Sequence, residues 1–254
     1  MIQKLEKIVV DAGLLLMNHQ NEITVTSTIN GEVTTNYDII IQDFILSKLK
    51  LEFDDYEYIS EEIQRNNFDL ANPTWILDPI DGTANFYRGL PEYTISLALA
   101  IGNKIQIGIV YSPVLNKLFR AEQNKGAYVN GKKISISKNS KISDSLLFLS
   151  SYKSFLNNNN ENIYYNLIKT FPNSKITRSA ALELCYVAEG CAEGRVFANT
   201  KLWDYAAGCL IVEEAGGKIT TWDNDMVYLG SSKLIATNGL IHNELIRIIN
   251  SNQV

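Results

Sequence analysis

Trp75-Ile76-Leu77-Asp78-Pro79-Ile80-Asp81-Gly82-Thr83-Ala84-Asn85-Phe86 is the stretch whose reading decides the fold and the chemistry of this chain. Its apolar lead-in reads as a buried strand that stops at the charged Asp78. Pro79 and Gly82 forbid a continuing strand and predict a tight turn. The turn brings the carboxylates of Asp78 and Asp81 together at the mouth of a sheet. Two close carboxylates repel and stay ionised together only beside a cation. Their hard oxygens suit Mg2+ or a similar metal. Gly82 lets the backbone come close to a ligand, and its amide and that of Thr83 can point at a bound anion. Carboxylates for a metal beside amides for an anion describe a phosphoryl-transfer site. The plainer alternative is an ordinary Asp-Gly turn after a strand.

Working outward, the 254 residues suit one large domain or two small ones on a shared core. With 46% hydrophobic and 20% charged residues there is ample core material and an ordinary surface. The net charge of −5, with no lysine-arginine cluster, argues against a nucleic-acid polymer as partner. Cys185, Cys191 and Cys209 are odd in number and lie among apolar residues, so they read as reduced core residues of a cytoplasmic protein. The first residues lack the shape of a signal peptide, and no apolar run is long enough to span a membrane. His19 and His242 stand alone, which disfavours a histidine base or a zinc site. No Gly-x-Ser-x-Gly elbow and no P-loop is present. The asparagine run at 157–160 reads as a surface loop.

Periodicity predicts a helix from residue 2 to about residue 20 and a second after Thr34-Thr35-Asn36, whose side chains can cap it. A short strand at 57–60 leads into Glu61-Glu62. From 93 to 137 the pattern is β, with Gly102-Asn103 and Asn130-Gly131 marking hairpin turns. A strand at 146–150 and a helix at 162–171 follow. Ser179 reads as the N-cap of a helix at 180–192. A helix at 204–215, closed by Gly216-Gly217, precedes strands at 218–221 and 234–236 and a last helix at 241–249. Helices, then a long antiparallel sheet, then alternating elements imply layers of both types.

Three motifs in one order now carry a resemblance: Ser60-Glu61-Glu62, the 78–83 turn, and Leu202-Trp203-Asp204-Tyr205-Ala206-Ala207-Gly208. Across nearly its whole length the chain resembles the inositol monophosphatase family of Mg2+-dependent, Li+-sensitive phosphatases. The resemblance implies an α/β fold, a five-layer α/β/α/β/α sandwich. It implies one phosphatase domain over 1–254. The half 1–145 holds the metal motifs and the larger sheet, 146–254 holds the second sheet and the substrate side, and the active site lies in the crevice between them. It implies a cytoplasmic homodimer acting on a small phosphorylated substrate. Glu61, Asp78, Asp81 and Asp204, with the main-chain carbonyl of Ile80, are the expected ligands for roughly two or three Mg2+ ions, with Mn2+ as a substitute. The reaction implied is in-line attack of activated water on a phosphate monoester, without a phosphoenzyme. Glu61, Asp38 and Thr83 are the expected catalytic groups, Asp38 binding Thr83 so that its hydroxyl orients the water. Asp81, Gly82, Thr83, Ser179, Ala180 and Asp204 are the expected substrate contacts. With the cations removed, facing carboxylates repel, so Asp81→Asn is expected to stabilise the metal-free fold, or at least not to harm it, while destroying activity.

The resemblance thins on the substrate side. Phe197 stands where animal members carry a sugar-binding glutamate; it can stack on a base or sugar face, or serve as strand core. Arg178 stands where the family often has glycine; it can clamp a second anionic group, or form a surface ion pair. A lysine often found upstream of the Asp38 motif is missing, with Ser27 near its place. A 3′(2′),5′-bisphosphate nucleotidase, a fructose-1,6-bisphosphatase and a histidinol or sugar phosphatase therefore stand as alternatives within the family. A catalytically weak family member acting as a regulatory binding protein is the alternative of another class, against which the intact set of acids argues.

Overall fold

The computed structural model describes residues 1–18, 22–29, 32–63, 72–156 and 160–251. His19 and Asn157, Asn158 and Asn159 lie outside the described residues. Leu5, Ile8, Val9, Ala12 and Leu16 recur at helical spacing and are all buried along one face of α1 (Ile2–Asn18). A hairpin of β1 (Val25–Ile29) and β2 (Glu32–Thr35) comes next, without an alternating pattern to announce it. It leads into α2 (Asn36–Glu52) through a capping box. Thr35 Oγ1 accepts from the Tyr37 amide, and Asp38 reaches back to accept from the Thr35 amide.

The larger sheet has seven strands in chain order: β3 (Glu57–Ser60), β4 (Thr74–Asp81), β5 (Thr94–Ile101), β6 (Lys104–Ser112), β7 (Lys117–Glu122), β8 (Ala127–Val129) and β9 (Lys132–Lys133). Only β3 and β4 run parallel; every later neighbour is antiparallel. Gly102-Asn103 and Asn130-Gly131 have positive φ at both residues, as tight hairpin turns require. The expected stop at Asp78 is corrected. β4 runs on to Asp81, and its pairing with β5 passes from Asp78↔Ser96 to Asp81↔Thr94 through a register shift. Pro79 falls in that bulge, where its missing N–H costs no ladder bond. A single turn of helix, α3 (Thr83–Tyr87), follows directly.

The smaller sheet contains β10 (Leu146–Leu149), β11 (Asn173–Lys175), β12 (Gly194–Phe197), β13 (Lys218–Thr221) and β14 (Leu234–Thr237), in the order β11-β10-β12-β14-β13. Its helices are α4 (Tyr152–Leu156), α5 (Glu161–Thr170), α6 (Ala180–Ala188), α7 (Leu202–Glu214) and α8 (His242–Asn250). α1 and α2 cover the outer face of the large sheet, α6 and α7 fill the space between the sheets, and α5 and α8 lie over the small one. These are the five layers of a mixed α/β sandwich, with an apolar core at each helix layer. The middle core joins Ile76, Val110 and Phe119 of the large sheet to Phe148, Phe197 and Ala236 of the small one through α6 and α7. α7 can lie so close because β6 carries Gly108; a Cβ there would meet the Ala207 carbonyl at 2.5 Å. Two expectations change here. α6 ends at Ala188, not at 192, and Cys191 is exposed beyond that end; Cys185 and Cys209 are buried.

Candidate active site

β4, α6 and α7 converge at one crevice of about 230 Å3, whose lining includes Glu61, Asp78, Ile80, Asp81, Thr83 and Asp204. Lining residues also come from the far side: Arg178, Ala180 and Arg195. The elements explain each position. Glu61 follows β3, and its amide bonds the Leu77 carbonyl of the parallel neighbour. Asp78 and Asp81 sit on either side of the β4 bulge. Asp204 is the third residue of α7, its Oδ2 accepting from Thr200 Oγ1 and the Lys201 amide at 2.8 Å each.

Asp81 is bound on all sides. Its Oδ2 accepts from Thr94 Oγ1 at 3.0 Å, Ser179 Oγ at 2.6 Å and the Ala181 amide at 2.9 Å, and its Oδ1 from the Ala180 amide at 2.8 Å. The carboxylate thus caps α6 from another sheet. Ser179 occupies the N-cap position as the sequence predicts, but its hydroxyl turns to Asp81 and not to its own helix. The Ile80 amide donates to Asp78 Oδ1 at 3.1 Å, and the Asp78 and Glu61 carboxyls share a hydrogen bond. Gly82 follows in the left-handed region at φ 93°, and a Cβ there would strike the Glu92 carbonyl at 2.8 Å.

Thr83 Oγ1 lies 3.0 Å from Asp38 Oδ1 and 2.9 Å from the Ile80 carbonyl. Asp38 is held in turn by the Thr35 amide and hydroxyl, both 2.7 Å from its Oδ2. The Asp38–Thr83 contact expected from the resemblance is present. It joins the α2 capping box to the end of β4.

The acids are raised together. Burial pushes Glu61 and Asp78 well above the usual carboxylate range. Asp204, Glu62 and Asp38 add to the push on Glu61, and Glu61, Asp81 and Asp204 add to that on Asp78. Asp81 and Asp204 are pushed up to about 6, again chiefly by burial, against the hydrogen bonds they accept. Glu62, half-buried, is pushed up to about 7 by burial and then by Asp38. Among the described residues no three Asp, Glu, His or Cys side chains are gathered into a ready-made metal cage. Mg2+ seldom uses one; it takes one or two carboxylates and completes its shell with water and phosphate oxygens. Buried, all-oxygen, mutually repelling donors fit that ion and offer no nitrogen or sulfur to favour zinc.

Sequence reasoning missed the opposite wall. Arg195, buried on β12, puts Nε 2.6 Å from Glu183 Oε2 of α6, with its guanidinium 4.1 Å over the Phe197 ring. Burial pushes the Glu183 carboxyl up and the Arg195 guanidinium down, each against the pull of its partner. A charge between Gly194 and Val196 in an otherwise apolar run was the signal, since arginine is rarely buried unpaired. Phe197 is corrected: it is 1% exposed, packed in the middle core under Arg195, and does not reach the crevice. Asn85 was also missed. Its Nδ2 bonds the carbonyls of Glu92 and Thr177 at 2.6 and 2.7 Å, tying the turn after β4 to the segment before α6.

The sequence profile of the inositol monophosphatase family matches residues 2–253. A fructose-1,6-bisphosphatase/inositol-1-monophosphatase of Thermotoga maritima is 33% identical over 96% of this chain and 93% of its own length. A Nus factor SuhB of Haemophilus influenzae is 32% identical over 93% of this chain and 90% of its own. A solved inositol monophosphatase structure from Thermotoga maritima superposes with a TM-score of 0.87 at 33% identity, covering 97% of this chain and 95% of that one. The chain belongs to the inositol monophosphatase family, whose members are metal-dependent phosphoric monoester hydrolases.

Proposed function

From that membership we propose that this protein hydrolyses a small phosphate monoester of the inositol monophosphate kind, with Mg2+ as its ion. The observation that carries the reading is the meeting of Glu61, Asp78, Asp81 and Asp204 in one crevice with the Thr83–Asp38 pair at its edge. Bound Mg2+ would supply Lewis acidity, polarising the phosphoryl group and making water more acidic. Glu61, Asp78, Asp81, Asp204 and the Ile80 carbonyl are the groups that would hold it. The residues themselves do the orienting. With both Thr35 donors on Asp38 Oδ2, Oδ1 is left to accept from the Thr83 hydroxyl when the Ile80 carbonyl, its other acceptor, is engaged by the ion. Thr83 Oγ1 then presents lone pairs toward the crevice and can accept a hydrogen bond from water. Asp38 keeps the hydroxyl in that rotamer, and Glu61 offers a nearby carboxylate to the same water. The amides of Gly82 and Thr83, at the start of α3 where a helix leaves its first N–H groups without intrahelical partners, are the backbone donors that would meet an anion. Ala180 and Ser179 bound the substrate side, Ser179 through its grip on Asp81.

The same membership supports a homodimer. No helix among the described residues is long and apolar enough to cross a membrane. The test is phosphate release from glycerol phosphate and from inositol monophosphate, with Mg2+, with Mn2+ and with EDTA. Release that needs the divalent ion supports the reading, and full turnover in EDTA rejects it.

A further inference from the structure

Arg178 is the charged residue of the crevice that the proposed chemistry leaves unused. Resting on the phosphatase reading above, we propose that Arg178 selects substrates carrying a second anionic group, a phosphate or a carboxylate, beside the ester that is cleaved. Three observations carry this. Its backbone adopts φ 65°, a left-handed conformation that arginine rarely takes. It is one of the residues that line the crevice. Among the described residues its guanidinium makes neither an ion pair nor a hydrogen bond. Arg195 on the same wall is committed to Glu183.

The unfavourable backbone is held from both sides. On one side, Thr177 gives its amide and hydroxyl to Glu183 Oε1 at 2.7 and 2.9 Å, and its carbonyl accepts from Asn85. On the other, Ser179, Ala180 and Ala181 are all bonded to Asp81. An outlier persists only where its neighbours over-determine it, and such places collect at ligand sites. Glycine would meet the same backbone demand without strain. What arginine adds is a planar, permanently charged fork at the mouth of the crevice, with no protein anion bound to it. That geometry matches a carboxylate or phosphate held in two contacts. Arg178 lies beside the turn that follows Asp81, where a Cβ on Gly82 would sit 3.4 Å from the Arg178 carbonyl, so a single small molecule can reach from the reacting phosphate to the fork.

The experiment compares wild type, Arg178→Gly and Arg178→Lys on fructose 1,6-bisphosphate, 3-phosphoglycerate and glycerol phosphate at fixed Mg2+. Glycine keeps the backbone and removes the fork; lysine keeps the charge and loses the plane. The ratio of kcat/KM for a doubly anionic ester to that for glycerol phosphate should fall about tenfold or more in Arg178→Gly, about 1.4 kcal/mol. The fall should lie mainly in KM, and lysine should recover part of it. The arm that falls further tells phosphate from carboxylate. An unchanged ratio in both arms overturns the proposal. Should wild type cleave none of the three, the phosphatase reading fails by itself. Calorimetric titration of the same esters then decides this one: preferential binding of the doubly anionic esters that glycine removes supports it, and equal binding by both proteins overturns it.

Discussion

The two walls of the crevice treat buried charge in opposite ways. On the wall built from β3 and β4, Glu61 and Asp78 face one another and further acids, and Asp78 is given one backbone donor. On the wall built from α6 and β12, Asp81 accepts four hydrogen bonds and Glu183 is tied to Thr177 and Arg195. Charge that the fold has satisfied is architecture, and charge left short of partners is kept for a ligand. Asp81 belongs to both, because it faces the crevice and also starts a helix. The donors around it lead to a different expectation for stability from the one that sequence alone suggests. Repulsion would make Asp81→Asn harmless in the metal-free protein, whereas the four donors around Asp81 make it costly.

The sharpest way to break this contrast is to cut the satisfied wall. Glu183→Ala strands a buried guanidinium and two Thr177 donors, and removing one partner of a buried pair costs about 3–5 kcal/mol. Differential scanning calorimetry should show Tm falling by roughly 10 °C. A fall of only a degree or two would mean that the Arg195–Glu183 pair does not organise this wall. The next effect belongs to the other wall. Asp78→Asn should reduce kcat/KM at least about 10²-fold, from lost positioning of the ion. In EDTA it should raise Tm, since it removes one member of a repelling set. Lost activity together with lost metal-free stability would make Asp78 a structural residue. Asp81→Asn should be as damaging to catalysis, yet in EDTA it should lower stability by about 1–3 kcal/mol, because an amide nitrogen meets the α6 donors. Opposite signs for the two substitutions are the expected outcome, read by urea denaturation in EDTA.

The contrast also explains what could be read from the chain. The acidic wall is nearly local: Asp78, Ile80, Asp81, Gly82 and Thr83 lie within one turn, and Pro and Gly mark it. Glu61 and Asp204 stand in two further short motifs. Layers of both types followed from helical and alternating periods, the five-layer order from the family resemblance, and the hairpins from Gly102-Asn103 and Asn130-Gly131. The other wall is made by tertiary contact. Glu183 looks like an ordinary acid in a helix until β12 sets Arg195 beside it. Phe197 looks like a candidate stacking surface until the strand turns it into the core. Ser179 looks like a cap, and only the approach of β4 gives its hydroxyl to Asp81. The bulge that carries β4 past Pro79 is invisible in sequence because it depends on the register with β5. A period identifies faces, but the matching of charges across layers is settled by packing.

Outside the lining of the crevice, a buried titratable group gives the smallest and most separable effect. His242, at the start of α8, is fully buried between Thr220 Oγ1 at its Nε2 and Thr237 Oγ1 at its Nδ1, each 2.9 Å away. Thr220 already gives its proton to the Thr221 carbonyl, so it accepts from Nε2–H. Nδ1 is then the acceptor, filled by the Thr237 hydroxyl. The pocket is thus built for the neutral ring, and burial, with Lys218 adding to it, lowers the His242 pKa from 6.5 to about 4. Because the folded value lies below the unfolded one, the unfolded chain binds the extra proton between those limits. The stability His242 contributes is complete above about pH 6.5 and is lost as pH falls toward 4. In EDTA the crevice acids act the other way: their raised values mean the folded protein takes up protons first, so acidification from about pH 7 stabilises it. Thermal unfolding of wild type, His242→Gln and Asp78→Asn from pH 7.5 to 4.5 separates the two. His242→Gln should lower Tm at pH 7.5 by a few degrees and then lose less of it on acidification than wild type. Asp78→Asn should gain less than wild type over the same range. Parallel curves for His242→Gln and wild type would show that the buried imidazole takes up its proton without cost, and that this pocket tolerates the charge it is shaped to refuse.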